Sequence, residues 1–179
     1  MGGIEFTNIP KDFSSIEVTD IDGQRNLISS YLNNKKLVIV VNVASNWGLT
    51  KTNYEQLENI YKNYSSKGLE ILAFPCNQFF GQEPQSEPKI KKNVTETYGV
   101  TFKLFSKVDV NGSKTHDVFK YLRINSPELA TSETEAKKIS WNFGKFLVDT
   151  EGKVLKYLTP SQEPNEILPL IEKILNQWK

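Results

Sequence analysis

Leu37-Val38-Ile39-Val40-Val41-Asn42-Val43-Ala44-Ser45-Asn46-Trp47-Gly48-Leu49-Thr50 begins as an unbroken apolar run and ends as a polar loop. Leu37 to Val41 has no polar alternation, the pattern of a strand buried on both faces. Asn42, Ser45 and Asn46 break the run, and Gly48 permits a tight turn. Thr50 or Thr52 is placed to cap a helix, with Glu55 following Thr52 at capping-box spacing. Leu57, Ile60, Tyr61 and Tyr64 then recur at helical spacing. A central strand therefore delivers the loop Ser45–Gly48 to the start of a helix. Proteins of the α/β class place chemistry at such a junction, because open backbone N–H groups and the helix dipole favour an anion there. The residue presented is Trp47, an exposed ring on a polar loop, with no nucleophilic or acid–base chemistry.

The neighbouring segments extend this unit in both directions. Ser65-Ser66-Lys67-Gly68 ends the helix, and Leu69 to Pro75 reads as a second buried strand, so the two strands are predicted to be parallel neighbours of a βαβ unit. Upstream, Ile4 to Phe13 is a polar lead-in. Ile16 to Ile21 alternates and turns at Asp22-Gly23, a short β-hairpin, and Leu27 to Leu32 reads as a short helix. Downstream, Cys76 to Pro88 is a long polar loop. Lys89 to Tyr98 is a predicted helix closed by Gly99, and Val100 to Val110 an extended segment turned at Asn111-Gly112. Thr115 to Leu122 is a further helix, and Ile124 to Lys138 a mobile Ser/Thr/Glu-rich loop. Phe143 to Val148 and Lys153 to Leu158 form a second hairpin, and Ile167 to Trp178 a terminal helix with Leu168, Ile171, Ile174 and Leu175 inward. No repeat or linker divides residues 1–179, so one domain is expected. The predicted fold is α/β and thioredoxin-like: a central mixed sheet flanked by helices, with an insertion after the second parallel strand.

The totals restrict the function classes. Lys and Arg number 22 against 21 Asp and Glu, a net charge of +1, which points neither to nucleic acid nor to an anionic membrane. A single cysteine, Cys76, excludes an intramolecular disulfide and a multi-thiol metal site. It reads as a buried structural thiol, with a slow surrogate nucleophile as the alternative. The only histidine, His116, reads as a surface residue and not a metal ligand. Lys89, Lys91 and Lys92 read as a solvated helix face, or else as a docking patch for phospholipid head groups or glutathione carboxylates. No apolar run is long enough to span a bilayer, and Met1-Gly2-Gly3-Ile4-Glu5-Phe6 lacks the Ser or Thr of a myristoylation motif. With no apolar stretch of signal-peptide type at the N-terminus, the expectation is a soluble cytoplasmic protein.

Several longer motifs occur in a fixed order. They are Val41-Asn42-Val43-Ala44-Ser45, Gly48-Leu49-Thr50, Asn53-Tyr54, and Leu69 to Phe79 followed by Gly81-Gln82-Glu83-Pro84. Lys107-Val108-Asp109-Val110-Asn111-Gly112 and Trp141-Asn142-Phe143-Gly144-Lys145-Phe146-Leu147-Val148-Asp149 complete the set. With these motifs the chain resembles the glutathione peroxidase family from Ile16 to the C-terminus. The resemblance implies reduction of hydrogen peroxide and lipid hydroperoxides by a selenocysteine or cysteine, in the service of antioxidant defence. It implies glutathione or another thiol as reducing co-substrate and no bound cofactor. It also implies a tetrad in which Gln82, Trp141 and Asn142 surround the nucleophile, whose position is Trp47. Their donors, with the helix N-terminus, would stabilise a thiolate whose pKa must fall below its free value of about 8.5.

Three further features follow from the resemblance. Thioredoxin-dependent members carry a resolving cysteine where this chain reads Lys91 to Thr97, so the chain looks more like the selenocysteine-type phospholipid hydroperoxide members. The short stretch Asn125 to Ser140 favours a monomer, with transient phospholipid contact at most. Where members carry Arg-Tyr-x-Pro, this chain reads Tyr157-Leu158-Thr159-Pro160, without that basic glutathione contact.

Trp47 has three candidate origins: a selenocysteine codon rendered as Trp, a one-base change from cysteine, or a genuine pseudoenzyme. The chain as written is expected to be nearly inactive, and the alternative function is a non-catalytic binding module on a thioredoxin fold.

Overall fold

The computed structural model describes residues 4–177. Met1–Gly3 of the N-terminal motif and Trp178 of the predicted last helix lie outside the described residues. An antiparallel hairpin, β1 (Glu17–Thr19) and β2 (Arg25–Leu27), precedes the main sheet. A 3-10 turn over Ile28–Tyr31 follows it. Then come β3 (Leu37–Val43), α1 (Thr50–Tyr64), β4 (Leu69–Pro75), α2 (Glu87–Tyr98), β5 (Lys103–Leu104) and α3 (Asp117–Asn125). The second hairpin, β6 (Lys145–Asp149) and β7 (Val154–Leu158), leads to α4 (Leu168–Asn176).

The five-stranded sheet has the order β5-β4-β3-β6-β7. β3 is its centre, parallel to β4 from Leu37↔Leu69 to Val43↔Pro75 and antiparallel to β6. This is the expected thioredoxin-like arrangement, with α2, β5 and α3 inserted between β4 and β6. Every residue of β3 and β4 is buried, as an apolar strand covered on both faces must be. Alternation divides them between two cores. Val38, Val40, Leu72 and Phe74 pack with Val118, Phe119 and Phe146 on one face. Leu37, Ile39, Val41, Ile71 and Ala73 pack with Tyr54, Leu57, Ile90 and Ile171 on the other.

Several sequence expectations change in detail. α1 has Leu49 at its N-cap with no side-chain cap, and Thr50 is its first residue. The Thr50 hydroxyl is taken by the chain behind it, donating to Ala44 O at 2.8 Å. α2 starts two residues before Lys89, at Glu87, because Pro88 suits a first helical turn. In the stretch Val100–Val110 only Lys103–Leu104 forms a strand. His116 is not a surface residue. It is half-buried as the N-cap of α3, its Nδ1 accepting from Val118 N at 3.1 Å, and burial holds its pKa below the usual value. The predicted mobile loop Ile124–Lys138 is irregular but tied down. The guanidinium of Arg123, 1% exposed, donates to Lys137 O, Ala136 O and Val110 O at 3.0–3.1 Å. Composition alone does not show that a buried cation supplies the donors that this backbone needs.

Candidate active site

The site is built at the C-terminal ends of β3 and β4. Thr50 fixes the connection from β3 to α1: its Oγ1 donates to Ala44 O and accepts from Trp47 N at 3.2 Å. α1 has no side-chain cap and no acidic residue in its first turn, so its positive end is uncompensated beside position 47. Trp47 is half-buried and not exposed as expected, because its ring stacks on Phe143 at 6.0 Å with 20° between planes. Packing against the apolar face of the sheet decides its placement, which the polar loop around it does not reveal.

The β4–α2 loop brings in Gln82. Asn46 N donates to Gln82 O at 3.0 Å, which ties this loop to the residue before Trp47. The turn before β6 brings in Trp141 and Asn142. Asn142 is fully buried, and its Nδ2 donates to Gln82 Oε1 at 2.7 Å across 60 residues of chain. Trp141 is half-buried, with Phe79 at 5.5 Å and Phe80 at 5.1 Å. Phe80 is 87% exposed with φ +53°, a left-handed conformation that costs a bulky residue about 1–3 kcal/mol. The structure thus joins Gln82 directly to Asn142. It brings position 47 into the same neighbourhood through Asn46 and Phe143.

The buried side-chain polar atoms without a partner, among the described residues, are Trp141 Nε1, Asn142 Oδ1, Glu83 Oε2, Tyr54 Oη and Asn53 Oδ1. Three of these residues, Trp141, Asn142 and Glu83, lie in the site segments just described, and Asn53 and Tyr54 belong to the first turns of α1. A buried group left unpaired costs about 1–3 kcal/mol, so such a cluster marks a place built for something other than stability. The indole N–H of Trp141 is a donor with nothing to donate to.

Sequence reasoning passed over two residues that hold this geometry. Asn42 interrupts an apolar strand and is fully buried. Its Nδ2 donates to Trp141 O at 3.0 Å, its Oδ1 accepts from Gly144 N at 2.9 Å, and its O accepts from Phe143 N at 2.6 Å. These bonds clamp a turn in which Phe143 has φ +66°. Gly144 is crowded: a Cβ there would stand 3.0 Å from Tyr157 Oη and 3.1 Å from Asn42 Oδ1, so these neighbours would have to give way. A polar residue inside a doubly buried strand must find partners, and that was the available signal.

Glu83 is the second. Its carboxyl is fully buried under Ser45, whose Oγ donates to Glu83 Oε1 at 2.6 Å. Burial pushes its pKa up from 4.5 to about 7 against the lowering effect of the Ser45 bond. The folded protein keeps this proton over a pH range where the unfolded chain has released it. Stability from this group is therefore greatest below the unfolded pKa and falls as pH rises towards 7. Glu83→Gln is expected to flatten that slope between about pH 4.5 and 7 in urea melts, and an unchanged slope would assign it to other groups.

Cys76 is fully buried at the end of β4, and burial pushes its thiol up to about 11. It is an inert core thiol and no substitute nucleophile.

The sequence profile of the glutathione peroxidase family matches residues 13–123. The chain belongs to the glutathione peroxidase family. A glutathione peroxidase of Schistosoma mansoni is 44% identical over 160 residues, covering 87% of this chain and 90% of the relative. The phospholipid hydroperoxide glutathione peroxidase 1, chloroplastic, of Arabidopsis thaliana is 39% identical, covering 92% of this chain and 67% of the relative. The crystal structure of T. cruzi GPX1 superposes with a TM-score of 0.71 at 29% identity, covering 93% of this chain and 97% of that one. Peroxidase function is therefore the function of the family to which this chain belongs. No helix among the described residues is long and apolar enough to cross a membrane.

Proposed function

We propose that this chain has the architecture of a hydroperoxide-reducing protein of the phospholipid hydroperoxide type, active only with a thiolate or selenolate at position 47. It works as a cytoplasmic monomer, takes its electrons from glutathione or another small thiol, and holds no bound cofactor. Position 47 is the seat of the nucleophile, and Gln82, Trp141 and Asn142 are its activating shell. The observation that carries the reading is the 2.7 Å bond from Asn142 Nδ2 to Gln82 Oε1. It orients two amides that neither segment could orient alone.

With a thiolate or selenolate at position 47, the chalcogen attacks the terminal oxygen of the hydroperoxide and the O–O bond breaks. The chalcogen becomes a sulfenic or selenenic acid, and the departing alkoxide takes a proton to leave as alcohol. Two equivalents of thiol then restore the nucleophile, releasing disulfide and water. In this reading the Trp141 N–H and the start of α1 hold the negative charge before attack and release it afterwards.

Indole cannot perform the first step. The protein with Trp47 is therefore expected to reduce hydrogen peroxide and a phospholipid hydroperoxide at no more than the background rate with glutathione or thioredoxin, and Cys76→Ser is expected to change nothing. Turnover that survives Cys76→Ser, in protein whose Trp47 is verified by mass spectrometry, would contradict the reading. The codon at position 47 discriminates among the three origins of this residue.

A further inference from the structure

Reduction of a hydroperoxide at position 47 sets two opposite demands on one proton. The nucleophile must be deprotonated to attack, and the departing alkoxide must then be protonated. Gln82, Trp141 and Asn142 donate hydrogen bonds but release no proton near neutrality. Glu83 follows Gln82 and is held in place by the backbone: its N–H donates to Asn77 Oδ1 at 2.9 Å, and Gln82 O accepts from Asn46 N. Its buried carboxyl accepts from Ser45 Oγ through Oε1, and Oε2 has no partner among the described residues. An unpaired oxygen in the interior disfavours the carboxylate and favours the acid. The other titratable groups facing this carboxyl are Cys76, Tyr54 and Lys107. Burial pushes the Cys76 thiol, at the end of β4, up to about 11, and the Tyr54 phenol of α1 well above its usual value. Lys107 donates to Gln85 O at 2.8 Å, and with Ser45 it opposes only part of the burial that brings Glu83 to about 7. Among Glu83, Cys76 and Tyr54, Glu83 alone exchanges its proton near neutrality. Ser45 links it to the reacting position. This serine is half-buried and stands two residues before position 47, so at most about 7 Å of chain separates the two. A hydroxyl accepts and donates at once, so it can pass a proton outward.

We propose that Glu83 is the proton-holding residue of this site, giving its carboxyl proton through the Ser45 hydroxyl to the departing alkoxide and recovering it from the thiol reductant. The assignment rests on the peroxidase reading of position 47. In the first half of the cycle a thiolate at position 47, a hydroperoxide and the Glu83 acid become a sulfenic acid, an alcohol and the Glu83 carboxylate. The O–O bond breaks, an S–O bond forms, sulfur is oxidised by two electrons and the hydroperoxide is reduced by two. One negative charge is present before this step and one after it, so no further charge has to be buried. In the second half one thiol condenses with the sulfenic acid and releases water. A second thiol displaces the first as a disulfide and restores the thiolate, and its proton returns to the Glu83 carboxylate.

The test compares two oxidants in the Trp47→Cys background, with oxidation of the new thiol followed by stopped flow before any reductant is added. tert-Butyl hydroperoxide loses an alkoxide, which needs a proton. Peracetic acid loses acetate, which needs none. At one slightly acidic pH, and corrected for the thiolate fraction, Glu83→Gln should slow tert-butyl hydroperoxide about a hundredfold and peracetic acid far less. Ser45→Ala should show the same selective loss. In the parent the rate with tert-butyl hydroperoxide should fall above about pH 7 as Glu83 ionises, and this alkaline limb should vanish in Glu83→Gln. Equal slowing of both oxidants would make Glu83 a structural tie, and an undiminished rate in either variant would overturn the proposal. A Trp47→Cys protein inert towards both oxidants would sink the peroxidase reading instead. Glu83 is then judged by carboxyl NMR titration, with its own side chain intact. Exchanging the indole for an ionising thiol should move the Glu83 midpoint clearly upward, because two nearby negative charges disfavour each other. A midpoint identical in the two proteins overturns the proposal.

Discussion

Trp47→Cys is expected to turn an inert protein into a peroxidase, with a gain of at least a thousandfold in hydroperoxide reduction. Loss of the nucleophile from a cooperating catalytic set costs on the order of a million-fold, so returning it recovers a large part if the remaining groups are in place. They are placed independently of residue 47. Asn142 is bonded to Gln82, the turn carrying Trp141 and Asn142 is clamped by Asn42, and Thr50 holds the loop through backbone atoms. The new thiol would sit beside the uncompensated start of α1, which lowers its pKa towards the range of reactive thiols. Its alkylation rate against pH should show a midpoint clearly below about 8.5, the value of a free cysteine. In this background Gln82→Ala or Asn142→Ala should remove about 10²–10³ of the gain, the usual cost of one such donor. The substitution also forfeits the stack on Phe143, so some loss of thermal stability accompanies it. A folded Trp47→Cys protein that reduces no hydroperoxide would show that the site has decayed beyond its nucleophile, and a non-catalytic binding role would then be the better account.

Asn42→Leu is expected to have the largest effect on stability of any single change near the site. Leucine keeps the volume but leaves Gly144 N–H and Trp141 C=O buried without their partners. At about 1–3 kcal/mol for each unpaired group, the loss is about 2–6 kcal/mol. That corresponds to a fall in Tm of roughly 10 °C for a chain of this size. Calorimetry measures it directly. In the Trp47→Cys background the same change should lower kcat more than KM, because it releases the turn that aims Trp141 and Asn142. A variant as stable as the parent would mean that the turn holds itself.

The parts of the fold legible in the chain were those in which local pattern and tertiary environment agree. β3 and β4 are buried on both sides, so their apolar runs needed no context to be read. The second hairpin was legible because its alternation and its Asp-Thr-Glu-Gly turn point the same way. The Ile124–Lys138 loop and His116 were misread because composition does not show which side chains turn inward: the Arg123 guanidinium bonds the carbonyls of the one, and the other caps α3 beside the Phe74 ring.

The same division runs through the site. Chain order and motif by themselves determined the family and which residue stands between Ala44-Ser45-Asn46 and Gly48-Leu49-Thr50, since both are properties of contiguous residues. Only the tertiary structure decided that Asn142 bonds Gln82, that Asn42 clamps the turn carrying Trp141 and Asn142, and that Lys91 pairs with Asp22. Those facts join segments up to 102 residues apart, as in the bond from Gly144 to Asn42. A side chain's hydrogen-bond partner is set by which strand ends the sheet brings together, and that becomes defined only when the core on both faces has closed.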